Sequence, residues 1–186
     1  MLITNNDFLP CGFETWPAVF SRCTKYRYWL RRDFEDMLAE RGPAVFVMHN
    51  PSTADHLVND PTVERCVRYA KRWRCAGCVV VNRFAIRGTD PSVVWNSDDP
   101  VGPLNNNAIF AAARISVDLG GPIVVAWGAF HGSKAEHRAL VSGRADAVAS
   151  LIIKVGAEPT CLSVTAGGEP RHPLYLRSDL VPVPWR

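Results

Sequence analysis

The sequence lacks the short motifs that identify the commonest nucleotide-binding and hydrolytic enzymes. It contains no G-x-x-x-x-G-K-[ST] loop, no G-x-G-x-x-G fingerprint, no H-E-x-x-H pair and no G-x-S-x-G elbow. These absences argue against the common kinases, dehydrogenases, zinc proteases and α/β-hydrolases. Any functional site therefore has to be sought in residues that the fold brings together.

Long apolar runs and a strong charge excess are also missing. No apolar stretch approaches the ~20 residues of a membrane span, and the first residues have neither the charged start nor the apolar stretch of a signal peptide. We therefore expect a cytoplasmic protein that has no membrane partner. The net charge of +3 over 186 residues permits an anionic partner without requiring one.

Cysteine is present, but not in a zinc-binding pattern. Of the six cysteines, only Cys75 and Cys78 have C-x-x-C spacing, and no second pair lies at zinc-ribbon distance. Cys78 and Cys161 fall in apolar runs, which favours small buried thiols over a redox or metal site. No metal and no other cofactor is expected.

Short apolar runs alternate with helical patterns along most of the chain. The runs that predict strands are 44–48, 78–81, 123–126 and 160–164. The segments that predict helices are about 60–73, 104–119 and 133–155, the last with Gly143 as a candidate break. This alternation predicts an α/β fold, a three-layer α-β-α sandwich around a mostly parallel four-stranded sheet.

The beginning of the chain is expected to differ from this pattern. Residues 1–24 predict a loop-like N-terminal arm, and residues 25–186 a single domain. Alternating polar and apolar residues at 25–32 predict an edge strand. Residues 33–41 predict a short helix that ends at Gly42.

Polar residues follow each of the four predicted strands. Asn50 follows the first, Asn82 ends the second, Trp127 and Gly128 follow the third, and His172 lies shortly beyond the fourth. Ligands of open α/β sheets bind outside the carboxyl ends of the strands. We therefore expect the two asparagines and the histidine to surround one pocket.

The amide of Asn50 offers two donors and one acceptor, so it could orient a water or hold a carbonyl, but it is not a strong base. The alternative is that Asn50 stabilises its own turn. Of the nearby carboxylates, Asp55 is the reserve candidate for a base or metal ligand. Asp60 is attributed to a helix N-cap that precedes Pro61, and Asp90 to a turn.

The amide of Asn82 could accept from N–H and donate to C=O, and so read one edge of a planar heterocycle. The alternative is a strand-end cap. His172 precedes a proline, which disfavours helical geometry at this residue. Its imidazole could stabilise negative charge or bind a phosphate, the alternative being an ordinary loop histidine.

Two resemblances accompany these residues. Several segments are similar to a bacterial and phage family of unassigned function, over about residues 25–178: Asn50-Pro51-Ser52-Thr53-Ala54-Asp55, Asp60-Pro61-Thr62, Val81-Asn82-Arg83-Phe84-Ala85, Ala126-Trp127-Gly128 and Arg171-His172-Pro173-Leu174-Tyr175. The order of landmarks also resembles the uracil-DNA glycosylase superfamily.

In the mismatch-specific branch of that superfamily, an Asn-Pro pair occupies the water-activating position. The segment His49-Asn50-Pro51-Ser52 resembles that motif. Val80-Val81-Asn82 is similar to the strand whose terminal Asn reads uracil, and His172-Pro173 to the loop that supports the leaving base. The chain departs from the pattern in two places. No glycine precedes Asn50, and no serine follows Pro173.

This second resemblance implies a uracil-DNA-glycosylase-like fold and hydrolysis of an N-glycosidic bond to a uracil-like or modified pyrimidine, in DNA or a nucleotide. Asn50 and His172 would be catalytic, with Asp55 in reserve. The residues expected to bind substrate are Asn82, Ser52, Thr53, Phe84, Arg83, Arg87, Trp127, Gly128 and Arg171. Among these, the arginines would hold phosphates. A monomer is expected.

Two other functions fit the same residues. One is a non-catalytic protein that binds a modified base or a nucleotide. The other is a metal-dependent nucleotide hydrolase that uses Asp55 and Asp90. Base release, binding without turnover and sensitivity to chelators distinguish the three.

Overall fold

The computed structural model describes residues 9–130 and 132–185. In those residues it contains three α-helices: α1 (Pro61–Arg72), α2 (Asn105–Leu119) and α3 (Ala135–Lys154). It contains seven strands: β1 (Ala18–Phe20), β2 (Arg27–Asp33), β3 (Ala44–Met48), β4 (Gly77–Asn82), β5 (Ile123–Val125), β6 (Thr160–Cys161) and β7 (Val183–Pro184).

Capping residues in the local sequence determine where α1 begins and where α2 ends. The side chain of Asp60 accepts the Val63 N–H at 2.8 Å, and Pro61 occupies the first position of α1. Gly120 ends α2 with a φ of 70°, a conformation that glycine adopts without steric cost. α3 continues through Gly143, because one glycine costs a helix only about 1 kcal/mol.

The described strands form one sheet in the order β1-β2-β4-β3-β5-β6-β7. The four central strands β4, β3, β5 and β6 are parallel, whereas β1, β2 and β7 pair antiparallel. The chain goes from β3 through α1 to β4, and then through α2 to β5 on the other side of β3. Such a reversal of strand order opens a crevice at the carboxyl ends of the strands.

Side chains alternate across the sheet and build a core on each face. Val79 and Val81 of β4 pack in one core with α2 and α3. Val80 packs in the other core with α1. Asn82, two residues beyond Val80, continues on the side of α1. The mixed α/β class predicted from the sequence is therefore confirmed, with helices on both faces.

The prediction of four strands was too low, because three antiparallel strands extend the parallel core. Residues 18–20 of the predicted loop-like arm form β1, while residues 1–8 of that arm lie outside the described part. β2 is not an edge strand, since it lies between β1 and β4. The helix predicted at 33–41 is wrong, because Asp33 ends β2, residues 34–40 contain only a turn at 37–38, and Arg41 forms a bridge with Cys75. These differences arise from strand pairings between segments far apart in the chain, which local sequence patterns do not show.

The cysteines are all free thiols. Cys78 and Cys161 are buried, as predicted, and so are Cys66 and Cys75. In the described ranges, no helix combines the length and the apolar character needed to cross a bilayer.

Candidate functional site

A cavity of about 290 Å³ opens at the carboxyl ends of β3 and β4, on the side of α1. Asn50, Asn82 and His172 all line it, together with Ser52. The expected convergence of the two asparagines and the imidazole is therefore observed. The volume lies near the lower end of the ~300–1,000 Å³ typical of small-molecule sites.

Asn82 forms part of the cavity wall with an amide that no described residue pairs with. Its side chain is 1% exposed, and neither Nδ2 nor Oδ1 has a hydrogen bond within the described residues. Its backbone carbonyl is held by Nδ2 of Asn105 at 2.9 Å, so the strand end itself is well anchored. An unpaired buried polar group costs about 1–3 kcal/mol, and native proteins contain few of them. A ligand in the cavity would satisfy this amide.

Asn50 links two segments that border the cavity. Its Nδ2 donates to the Gly88 carbonyl at 2.8 Å and to the Pro51 carbonyl at 3.3 Å. The Gly88 N–H in turn donates to the Pro51 carbonyl at 2.8 Å. The side-chain amino group thus stabilises the turn, which was the alternative interpretation. Its Oδ1 accepts no hydrogen bond from the part of the chain that the structure describes, so it can still accept one from a water or ligand.

His172 caps the short 3-10 turn Pro173–Tyr175. Its Nδ1 accepts the Leu174 N–H at 3.4 Å, so a neutral imidazole carries its proton on Nε2 as a donor. Burial lowers the pKa of His172 to about 4, and the charge of Asp60 acts in the opposite direction. At neutral pH His172 is therefore an uncharged hydrogen-bond donor.

Gly128 positions the histidine loop rather than contacting the cavity. Its φ is 74°, and a Cβ at this position would lie 3.2 Å from Cβ of His172 and 3.0 Å from the ring of Phe130. Its N–H donates to the Pro170 carbonyl at 2.9 Å. Glycine is required here for both the backbone conformation and the close approach.

The low pKa of His172 predicts a specific pH dependence of stability. An unfolded histidine binds a proton near pH 6.5, whereas the folded protein does so only near pH 4. The free energy of unfolding should therefore fall as the pH falls from about 6.5 to about 4, and this group should have no effect above that window. Chemical denaturation across pH 4–8 measures this, and His172→Gln should remove that part of the dependence. An NMR titration of the His172 ring with a midpoint near 6.5 would contradict it.

Two charged residues that the sequence did not assign to the site also line the cavity. Arg27 lies at the start of β2, and its guanidinium is almost completely buried. Asp60 is the helix cap of α1 and is the one carboxylate of the lining among described residues. The sequence did not indicate these roles, because Arg27 fitted the pattern of a strand residue and Asp60 that of a helix N-cap.

The aromatic side chains that line the cavity are Phe130 and Tyr175, not the expected Phe84. Phe130 packs against the rings of His49 at 5.1 Å and His172 at 6.3 Å between centroids. Tyr175 lies 5.7 Å from the His172 ring and is 80% exposed at the rim. Phe84, by contrast, is fully buried and does not line the cavity. Its expected contact with substrate is therefore wrong.

Arg83 and Trp127 lie beneath the cavity, not in it. The Nε of Arg83 donates to Nδ1 of His49 at 2.9 Å, and its guanidinium lies 5.2 Å from the Trp127 ring. Nε1 of Trp127 donates to the Glu169 carboxylate at 3.1 Å. Both residues are fully buried, so neither can contact substrate. The expected phosphate contact of Arg83 is replaced by support of His49.

The other arginines expected to hold phosphates are closer to the surface. Arg87 donates to the Thr24 carbonyl at 3.2 Å and lies 4.9 Å from the Phe20 ring, and it does not line the cavity. Arg171 is exposed next to His172, where it can meet a group outside the cavity.

Thr53 and Asp55 also lie outside the lining. Thr53 is exposed. Oδ1 of Asp55 accepts the N–H groups of Leu57 and Val58, both at 2.8 Å. These bonds lower the pKa of Asp55. Asp55 therefore stabilises its own loop, and Asp60 replaces it as the carboxylate that could act as a base.

Nothing in the described ranges gathers three histidine, cysteine or carboxylate side chains where a metal ion could be held. Asp90 accepts the Ser92 N–H at 2.8 Å and caps a 3-10 turn. The pairing of Asp55 with Asp90 that a metal-dependent hydrolase would need thus has no support from their placement.

The chain belongs to the family described as "Protein of unknown function (DUF1643)", which matches residues 27–174. The match covers nearly the same span as the first resemblance noted in the sequence. No curated protein and no solved structure matches the chain significantly. Family membership therefore identifies the domain and leaves its chemistry to be argued from the cavity.

Proposed function

We propose that this protein hydrolyses the N-glycosidic bond of a uracil-like or modified pyrimidine, in DNA or in a nucleotide. The unpaired amide of Asn82 in the wall of the cavity carries this proposal. An amide presents a donor beside an acceptor, which matches the adjacent C=O and N–H of such a ring. Binding the ring would supply the hydrogen bonds that the described residues do not give this amide.

The neighbouring side chains fit the two halves of the reaction. The free Oδ1 of Asn50 would accept a hydrogen bond from the attacking water and orient it. The water oxygen bonds to the sugar carbon C1′ as the bond from C1′ to the base nitrogen breaks, and the bonding electrons leave with the base. The neutral imidazole of His172 would donate from Nε2 to the negative charge that develops on the base. Asp60, which lines the cavity, would accept the proton of the water.

The rim of the cavity suits a substrate that continues outside it. Tyr175 is exposed at the rim and could stack on a base, and Arg171, exposed next to His172, could meet a phosphate. A base in duplex DNA would have to be extruded first, and mispaired or modified bases cost least to extrude. These features support the proposal without choosing between DNA and a nucleotide.

The second candidate is a protein that binds the same ligand without hydrolysing it. It is favoured by the hydrogen bonds of Asn50, whose amino group is already engaged in the turn. An amide at the water position is also a weak activator, because it cannot take a proton.

Oligonucleotides that carry uracil, mispaired thymine or a modified pyrimidine test the proposal. We expect the wild-type protein to produce alkali-labile abasic sites, and Asn50→Ala and His172→Ala to release base at least about 100-fold more slowly. Asn107→Ala is the matched control, since Asn107 is exposed on α2 and does not line the cavity. Equal rates in all variants would refute the assignment of the site, and tight binding without release would favour the second candidate.

A further inference from the structure

Arg27 is a buried cation that the described part of the chain leaves largely unpaired. Its side chain is 2% exposed and lines the cavity. One hydrogen bond holds it, from Nη1 to the Ala54 carbonyl at 2.8 Å, and Nε has no partner within the described residues. A buried charge without a close counter-ion costs several kcal/mol.

The other charges near Arg27 do not neutralise it. Asp60 is near enough to raise the pKa of Arg27, but no ion pair joins the two within 4.0 Å. Oδ1 of Asp60 already accepts the Val63 N–H at the start of α1. The N-terminus of α1, which lies in the same wall through Thr62 and Val63, adds further positive potential. Although burial lowers the pKa of Arg27 to about 10, the guanidinium remains charged at neutral pH.

The cavity has room for more than a pyrimidine ring, so a second group of the ligand could contact the guanidinium of Arg27. A single pyrimidine ring would occupy only part of about 290 Å³. Asn82 and Arg27 both line this one cavity. The same ligand can therefore reach the amide with its ring and the guanidinium with a second group.

We propose that the ligand carries an oxyanion, a carboxylate or a phosphate, which binds Arg27 while Asn82 reads the edge of the ring. This inference rests on the proposed use of the cavity for a pyrimidine, and it narrows the substrate class to anionic ones. The oxyanion has two possible sources, a carboxylate on the base or the phosphate of a nucleotide. Arginine suits either, because its planar donors match both groups.

Calorimetric titration of the full chain with four probes tests this inference without requiring turnover. The probes are uracil and uridine, which are neutral, and 5-carboxyuracil and uridine 5′-monophosphate, which are anionic. We expect at least one anionic probe to bind about 10- to 100-fold more tightly than its neutral parent, as hydrogen bonds to charged groups contribute about 1.5–3 kcal/mol. A gain for 5-carboxyuracil alone identifies a carboxylate on the base, and a gain for the nucleotide alone identifies the phosphate.

Variants of Arg27 complete the experiment. Arg27→Gln should remove the advantage of the anionic probe, and Arg27→Lys should restore part of it by returning the charge. Arg31→Gln is the matched control, since Arg31 lies on the same strand and does not line the cavity. Circular dichroism checks the folding of each variant. If Arg27→Gln does not fold, Arg27→Lys takes its place, and it should bind the anionic probe more weakly than the wild type does while binding the neutral parent equally well.

The inference is overturned if neither anionic probe binds more tightly than its neutral parent, or if Arg27→Gln keeps the advantage. Its failure differs from failure of the proposed chemistry. Base release without a preference for anions would remove this inference alone. A preference for anions without base release would keep the inference and remove hydrolysis.

Discussion

Replacing Asn82 with Ala should lower the affinity for a pyrimidine ligand by about 5- to 150-fold, the equivalent of about 1–3 kcal/mol for a bidentate contact. The reason is that neither polar atom of this amide has a hydrogen-bond partner among the described residues, and Asn82 lines the cavity that would hold the ring. The same substitution should leave the free energy of unfolding unchanged or raise it, because it removes a buried polar group to which no described residue gives a hydrogen bond. Titration with the tightest-binding probe and chemical denaturation measure the two effects.

The combination of effects separates a ligand-binding role from a strand-end cap. A cap would lose about 1 kcal/mol of stability on truncation, with little change in ligand affinity. Asn82→Asp keeps the shape but cannot donate to a ring carbonyl, so it should bind as poorly as the alanine variant. Asn107→Ala should alter neither property. A clear loss of stability in Asn82→Ala with unchanged affinity would show that the amide serves the fold.

The second large effect is expected at Arg83. Arg83→Ala should lower the free energy of unfolding by about 2–4 kcal/mol, because it leaves a cavity in the core and removes several hydrogen bonds. The guanidinium lies 5.2 Å from the Trp127 ring, donates to His49 at 2.9 Å and donates to the Phe130 carbonyl at 3.3 Å. Denaturant unfolding monitored by tryptophan fluorescence measures the loss.

Arg83→Met provides the informative comparison. Methionine refills most of the volume without burying a charge, so much of the stability should return. Ligand binding should remain weakened, because His49 and Phe130, which both line the cavity, lose their hydrogen bonds from the guanidinium. Arg171→Ala, at an exposed position, should not affect stability. If Arg83→Ala were as stable as the wild type while weakening DNA binding, a phosphate contact would explain Arg83 better.

The residues that local sequence predicted best are those at strand ends. Asn50, Asn82 and His172 could be proposed because polar residues that follow buried parallel strands gather at one edge of a sheet. The same reasoning failed for Arg83 and Phe84, which also follow β4. Beyond the end of a strand the chain turns, and the direction of the next side chains depends on what packs around them. Both side chains turned inward, under the cavity.

The charged residues illustrate a different limit. Asp55 and Asp60 are five residues apart, and local chemistry explains the hydrogen bonds of both. Only the position of α1 against the sheet decides that Asp60 borders the cavity and Asp55 does not. Arg27 depends on the pairing of β2 with β4, in which residues about 50 positions apart in the chain lie side by side, as Leu30 does with Val80. No local pattern reports such a pairing.

The amino-acid sequence by itself determined the α/β class, the start of α1 at Asp60, the end of α2 at Gly120 and the strand-end polar residues, because each depends on neighbours within a few positions. The tertiary structure alone decided that the sheet has seven strands among the described residues, that Arg83 supports His49, and that Arg27 and Asp60 enter the cavity. The physical reason is that strand pairing and helix packing join segments far apart in the chain. Their free energy depends on the whole core rather than on any one stretch of residues.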